Sequence, residues 1–317
     1  MSRRIPLWLT LVPLVVAIGL YWLLWSGWAR DLEAELSAWL PGSSMSISGF
    51  PYRIEADVQR PRLSGGSIVK LTAEAQAARL NRGPWQPELS VIRMTAPQVS
   101  ASVSPLLSAS LSGASSLSSL NVVEGRVLRF SNIFQQARIR LGFSALPLSA
   151  DTLELHLRER TPGPNPDAGP TAPDRGQLVI AGTGLRLANG DALSLAADIT
   201  ATAGARLTDY DAWAQAGTLE LRSLKLSDAH GEIATASATL VPVGRTGLTI
   251  AGTISTICPA AMAALFSGSV AAPEKRLRVP VRLAFSGPLQ AATLADAPAL
   301  DRRPRREQLP DCPKVRG

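Results

Sequence analysis

His156 and His230 are the only histidines in a chain of 317 residues. Any chemistry that needs an imidazole near neutral pH runs through one of them. The run DAHGE sets Asp228, His230 and Glu232 at alternate positions, three ligand types that on one strand face would meet a metal. The same five residues also read as a turn after KLS. His156 falls on the polar side of an alternating segment, facing water. Asp209 and Asp211 flank Tyr210, with Trp213 close behind. A carboxylate pair beside aromatics is the minimum equipment for glycoside chemistry, and it is equally what an edge loop with exposed aromatics looks like. No G-x-S-x-G elbow, P-loop or H-E-x-x-H occurs. GTGLRLANG carries Gly182 and Gly184 without the strand–turn–helix setting of a dinucleotide site. The expectation is a non-enzymatic protein with no cofactor and no metal site.

Cys258 and Cys312 are the only cysteines. In an oxidising compartment such a pair is expected to join. The bridge would close a loop of roughly 55 residues and contribute up to about 4 kcal/mol in the chain-entropy account. It would tie the tail onto the domain beside Pro259.

The elements that position these residues begin with an apolar run. IPLWLTLVPLVVAIGLYWLLW, residues 5–25, carries no charge and at about 1.5 Å per residue spans roughly 31 Å, the thickness of a bilayer core. Tyr21, Trp22, Trp25 and Trp28 form an aromatic belt at its exit. Bulky residues stand where a signal peptidase requires small ones, so residues 1–28 are expected to be an uncleaved anchor. Arg3 and Arg4 precede the span, while Arg30, Asp31, Glu33 and Glu35 follow it. Positive charge stays in the cytoplasm, which places the bulk of the chain in the periplasm of a bacterium and the anchor in the inner membrane. Residues 29–42 repeat Leu32, Leu36, Trp39 and Leu40 at helical spacing and stop at Pro41-Gly42. They read as a short amphipathic helix, packed on the domain or lying on the membrane surface.

From residue 43 to 295 the dominant period is two. Ile54, Ala56 and Val58 alternate with Glu55 and Asp57, Val69 and Leu71 with Lys70 and Thr72, and Leu277, Val279, Val281, Leu283 and Phe285 with Arg278 and Arg282. In TLELRSLKLS the apolar set changes phase between Leu221 and Leu224, as a bulge would change it. One apolar and one polar face per strand predicts a mainly β domain. Its twisted antiparallel sheet or sheets would form an open sandwich or a groove. Helical candidates are Pro259–Gly268 and one turn at Ile133–Ala137, with Ser104–Leu120 ambiguous. Residues 160–176, rich in Pro, Gly and Asp, form a loop insertion, and 296–317 a Pro/Arg-rich tail holding Arg302, Arg303, Arg305 and Arg306.

Ala29–Leu40, then Ser48–Leu63 (SGFPYRIEADVQRPRL), then Trp85–Val103 resemble the bacterial family catalogued as domain of unknown function 2125. Gly49-Phe50-Pro51-Tyr52-Arg53 carries most of the likeness, and the stretch reads as the first long strand of the sheet, with Phe50 and Tyr52 on the face of Ile54. The resemblance implies a membrane-anchored envelope protein of unknown activity. The Gly-Phe-Pro strand opening is also similar to exported β-rich proteins of the AsmA type, an analogy that implies a link to lipid and outer-membrane homeostasis.

The net charge of +7 is spread along the chain without aromatic interleaving, so no nucleic-acid partner is expected. The leading function is envelope maintenance through bound lipid or another envelope protein. The candidate apolar groove is made of Ile54, Ala56, Val58, Val69, Leu71, Leu277, Val279 and Val281. One alternative is an anchored scaffold with its sheet face closed. The other is a periplasmic glycan hydrolase, which needs carboxylates converging in a polar cleft.

Overall fold

The computed structural model describes residues 7–66, 69–102, 108–123, 126–142, 144, 147–159, 174–188, 190–202, 213–215, 217–244, 247–267, 269–295 and 309–314. Helix α1 (Leu7–Trp39) is continuous. The expected division into an anchor and a separate helix over 29–42 is therefore not what forms. Past Pro13 only Gly19 and Gly27 weaken the helix, and Ala, Leu, Glu and Arg all propagate it. Its apolar side chains from Leu11 to Leu24 stand exposed. By length and composition it suffices to cross a membrane. Beyond that point Trp25, Trp28, Ala29, Leu32 and Leu36 recur at three- and four-residue spacing and pack on the sheet, the stripe expected of a docked helix.

Among the described residues the sheet is antiparallel and has 18 strands. Its first part is β1 (Ser44–Ser48), β2 (Ile54–Gln59), β3 (Arg62–Gly65), β4 (Lys70–Glu74), β5 (Ala77–Gly83), β6 (Gln86–Thr95), β7 (Gln98–Ser102), β8 (Ser108–Ser112), β9 (Ser115–Val123) and β10 (Arg126–Leu141). The rest is a meander of β11 (Leu148–Glu159), β12 (Asp174–Leu187), β13 (Leu193–Thr202), β14 (Thr218–Asp228), β15 (Gly231–Val243), β16 (Gly247–Thr256), β17 (Val281–Pro288) and β18 (Thr293–Leu294), with helix α2 (Pro259–Ser267) between β16 and β17. The phase change in β14 is a bulge between Leu221 and Leu224. Across the insertion, β11 pairs directly with β12, Glu159 opposite Gly176.

Strands β2 and β3, β5 and β4, β6 and β7, and β9 and β8 are halves of strands bent along one line. β10 runs through the bend, pairing with β9 on one side of it and β8 on the other. Arg60, Ala96 and Gln136 sit on this line with φ of 48°, 49° and 51°. They belong to alternate strands in the order β2, β5, β6, β9, β10. A left-handed residue in every second strand turns the chain like a bulge. The ladder survives the turn: Gln76 N–H donates to Thr95 O at 3.0 Å, and Ala114 N–H to Gln135 O at 2.9 Å.

Three sequence expectations differ from this fold. Ser48–Leu63 is not one strand. It holds the end of β1, a turn with a cis Phe50–Pro51 peptide, β2, the bend and β3. Ile133–Ala137 is not a helical turn but part of β10, where left-handed Gln136 lets both Phe134 and Ala137 point inward and be buried. The alternation over Leu277–Phe285 is only partly a strand. β17 starts at Val281, because Pro280 has no N–H to give a ladder and Leu277 N–H is bonded instead to Ile257 O at 2.8 Å.

Candidate functional site: the inner face of the sheet

Strand register defines one inner face running across the whole meander. From β1 to β6 it passes through Ile47, Ala56, Leu80 and Ile92 in directly opposed positions. It crosses Ser118 and Asn132 on β9 and β10. It then continues through Leu155, Ile180, Ala197, Leu224, Ala236, Ile254 and Leu283 to β17. Opposed residues in antiparallel strands share a face, so the helices that cover its two ends lie on the same side of the sheet. α1 covers Ile54, Ala56 and Val58. α2 covers Ala234, Ala238, Ile254 and Phe285. Between them the face is partly open: Leu157, opposed to Phe130 and Leu178, is 39% exposed.

The near end is fixed to α1. Tyr21 O–H donates to Pro51 O, and Trp25 Nε1–H donates to Arg53 O at 3.0 Å. The Phe50 ring meets Trp25 edge-on with centroids 5.6 Å apart, and Trp85 stacks on Tyr21 at 6.0 Å. Gly49 (φ 103°) makes the turn possible, since a Cβ there would lie 2.7 Å from Arg53 O. The Gly-Phe-Pro-Tyr motif thus clasps the helix where it leaves its exposed apolar stretch. Tyr52 stays 87% exposed and does not share the buried face of Ile54, as strand alternation had suggested.

At the far end a cavity of about 550 Å³ lies between the sheet and α2. Leu224, Ala236, Ile254 and Phe285 form one wall, Met262 and Phe266 the roof, and Ser144 and Gln290 are the polar side chains in its lining. A second groove of about 490 Å³ lies along the bend and is polar, with Thr72, Ser100, Ser110, Arg138 and Arg140. Its single carboxylate, Glu74, is held by Arg62 at 2.9 Å.

The expected groove residues are not brought together. Ile54, Ala56 and Val58 are buried under α1, and Leu71 on β4 is 41% exposed beyond the bend. Val69 precedes β4 and is half-buried, as are Leu277 and Val281, while Val279 is exposed. The residues that do line the inner cavity were visible as alternating Leu and Ala on β14 to β16. Only strand order, which sequence periodicity does not encode, joins them to Ile54 and Ala56.

Cys258 and Cys312 are bonded, with S–S 2.07 Å. Asp228, His230 and Glu232 do not converge on a common point. Asp228 accepts from the His230 N–H at 2.8 Å and pairs with Arg276, and His230 is exposed at the β14–β15 turn. His156 bonds Ser131 Oγ at 3.0 Å on the opposite face. Trp213, expected to be exposed, is 4% exposed, packed against Gly217. Asp209, Tyr210, Asp211, Arg302, Arg303, Arg305 and Arg306 lie outside the described residues.

Asn132 and Ser118 interrupt the apolar row. Both are buried, and Asn132 Oδ1 and Ser118 Oγ have no hydrogen-bond partner among the described residues. An unmet buried acceptor costs about 1–3 kcal/mol. The Asn132→Leu variant is expected to be more stable than wild type by about 1 kcal/mol, read as a raised urea midpoint with unchanged slope. A lower midpoint would mean that the amide is satisfied.

The family model described as "Uncharacterized protein conserved in bacteria (DUF2125)" matches residues 25–257. That range opens at Trp25, where α1 begins to dock, and takes in the sheet as far as the residue before Cys258. No curated protein matches, and no solved structure matches.

Proposed function

We propose, for a chain that belongs to the bacterial DUF2125 family, that it is a single-pass inner-membrane protein whose periplasmic sheet binds lipid on its inner face in the service of envelope maintenance. One observation carries this reading. An apolar row, interrupted by the buried Ser118 and Asn132, runs from the strands beneath α1 to a cavity at the far end, with Leu157 uncovered between. An exposed apolar strip of this kind marks a binding surface. The clasp on Tyr21 and Trp25 supports a strip that starts at the level where aromatic residues meet a membrane surface. Orientation follows from Arg3 and Arg4 before the span. The polar groove offers Glu74 alone among carboxylates, which supports a binding role over hydrolysis. The scaffold reading requires a closed face, and the exposure of Leu157 speaks against it.

The test uses the detergent-extracted full chain, because α1 covers Ile54, Ala56 and Val58 and a domain cut at residue 43 would lose that cover. Co-purifying lipid is counted by mass spectrometry in wild type, in Leu157→Asp on the inner face and in Val241→Asp on the outer face. Both residues are already exposed, so neither charge has to be buried. Leu157→Asp is expected to lose most of the lipid that is not held by the anchor, and Val241→Asp to keep it. Equal loads in all three would sink the proposal.

A further inference from the structure

We infer that the cavity under α2 seats the tail of one acyl chain, entering end-first with its headgroup left outside. The inference rests on the lipid reading of the inner face and names the place and the part of the lipid that occupies it. At about 550 Å³ the cavity falls in the range of roughly 300–1,000 Å³ typical of sites for one small ligand. Its wall spans β14 to β17. Three strand spacings of about 4.8 Å give roughly 14 Å. One leaflet of a bilayer core some 30 Å thick is about 15 Å deep, and that is the reach of one tail.

The chemistry of the lining selects the same part of the lipid. Among the described residues none in the lining is charged, so a phosphate or an ammonium inside would be desolvated without a partner there. Ala234 and Ala236 occupy positions where Leu or Phe would fill the space. Met262 and Phe266 form a roof, and methionine adapts to a flexible occupant. The row through Leu155, Ile180 and Ala197 leads to the cavity from the membrane side. The occupant is thus a tail that travels along the face.

The experiment uses the full chain in detergent with palmitic acid carrying a terminal diazirine. In parallel it uses phosphatidylethanolamine bearing the same chain. After irradiation, adducts are expected on Met262–Phe266 and on β15 and β16. Ala236→Trp is expected to lower those adducts about tenfold, the effect of replacing contacts by a clash, and to leave adducts elsewhere on the inner face unchanged. If that variant fails to fold, Ala292→Trp at the cavity rim carries the same expectation. Labelling by both probes identifies the tail of an intact lipid, and labelling by the acid alone identifies a free fatty acid; either upholds the acyl site. Adducts confined to the stretch around Leu155 and Leu178 overturn the cavity and leave the lipid-binding face standing. Adducts nowhere on the inner face overturn both.

Discussion

Replacing both cysteines, Cys258→Ser with Cys312→Ser, is expected to remove about 4 kcal/mol of stability in the chain-entropy account of a loop this long. The two cysteines are 54 positions apart. At roughly 2–4 °C per kcal/mol for a domain of this size, the melting temperature should drop by about 8–16 °C. The bridge joins more than two sulfurs. Around it, Cys312 N–H donates to Glu274 O at 3.0 Å, Arg276 N–H to Pro310 O at 3.1 Å, and Lys314 N–H to Asp191 Oδ2 at 2.7 Å. The segment 309–314 is a strap from α2 across residues 274–276 to the loop before β13.

The carboxylate of Glu274 in turn accepts from the Ala261 N–H at 3.0 Å, at the first turn of α2. Burial pushes the Glu274 carboxyl up, and the N–H groups of Ala261 and Ala260 pull it partly back. Loss of the bridge should therefore loosen α2 before the sheet. Hydrogen exchange in the double variant is expected to speed up at Ala261 and Met262 and to stay slow on β10 to β13. A melting temperature within about 2 °C of wild type, less than 1 kcal/mol on the same scale, would show that the strap holds without its covalent link.

Much of this architecture was legible in the chain. Period-two alternation located β2, β4 and part of β17, and the Pro259 and Gly268 boundaries located α2. The bulge at Leu221 and Leu224 announced itself as a break in phase, because a bulge shifts every later side chain to the other face. The bend of the sheet was written more faintly. Arg60-Pro61 and Ala96-Pro97 both place a proline just after a left-handed residue, and a proline inside an alternating run marks a strand start or an edge. Nothing local says that the two prolines lie on one line, since that depends on which strands become neighbours.

The binding face was hidden for the same reason. Ile54, Ala56 and Val58 were correctly seen as one apolar set, but apolar alternation does not say what covers it. The cover turned out to be the second half of α1, whose stripe at Leu32 and Leu36 was visible and whose partner was not. The pairing of Arg276 with Asp228 was not legible in the sequence, because the two residues stand 48 positions apart and Asp228 drew notice only beside His230 and Glu232.

That pair supports the second large effect. Arg276→Met is expected to cost about 3–5 kcal/mol at pH 7, the usual consequence of leaving one member of a buried ion pair without its partner. The side chains of Arg276 and Asp228 are 6% and 10% exposed. Arg276 Nε–H also reaches Asp311 O at 3.4 Å, so the guanidinium joins the β14–β15 turn to the C-terminal strap. Burial pushes the Asp228 carboxyl up. The bonds from Arg276 and the His230 N–H, with the positive charge, outweigh it and hold the carboxyl below its ordinary value of 3.8. A carboxyl depressed in the folded state contributes stability that is complete above its unfolded pKa and is lost as pH falls through its folded pKa. In the variant the lone carboxylate takes up a proton more readily, which relieves its burial. The stability gap between wild type and Arg276→Met should then be widest at neutral pH and narrow as the solution is acidified towards and below the ordinary carboxylate value. Adding Asp228→Leu to Arg276→Met removes the stranded charge and should restore part of the loss, since an apolar replacement of a buried pair is often neutral. Urea titrations of wild type, both single variants and the double variant between neutral and acid pH measure the coupling directly. A gap that stays constant with pH, or losses that simply add in the double variant, would show that Arg276 holds the strap by packing and that its charge contributes nothing.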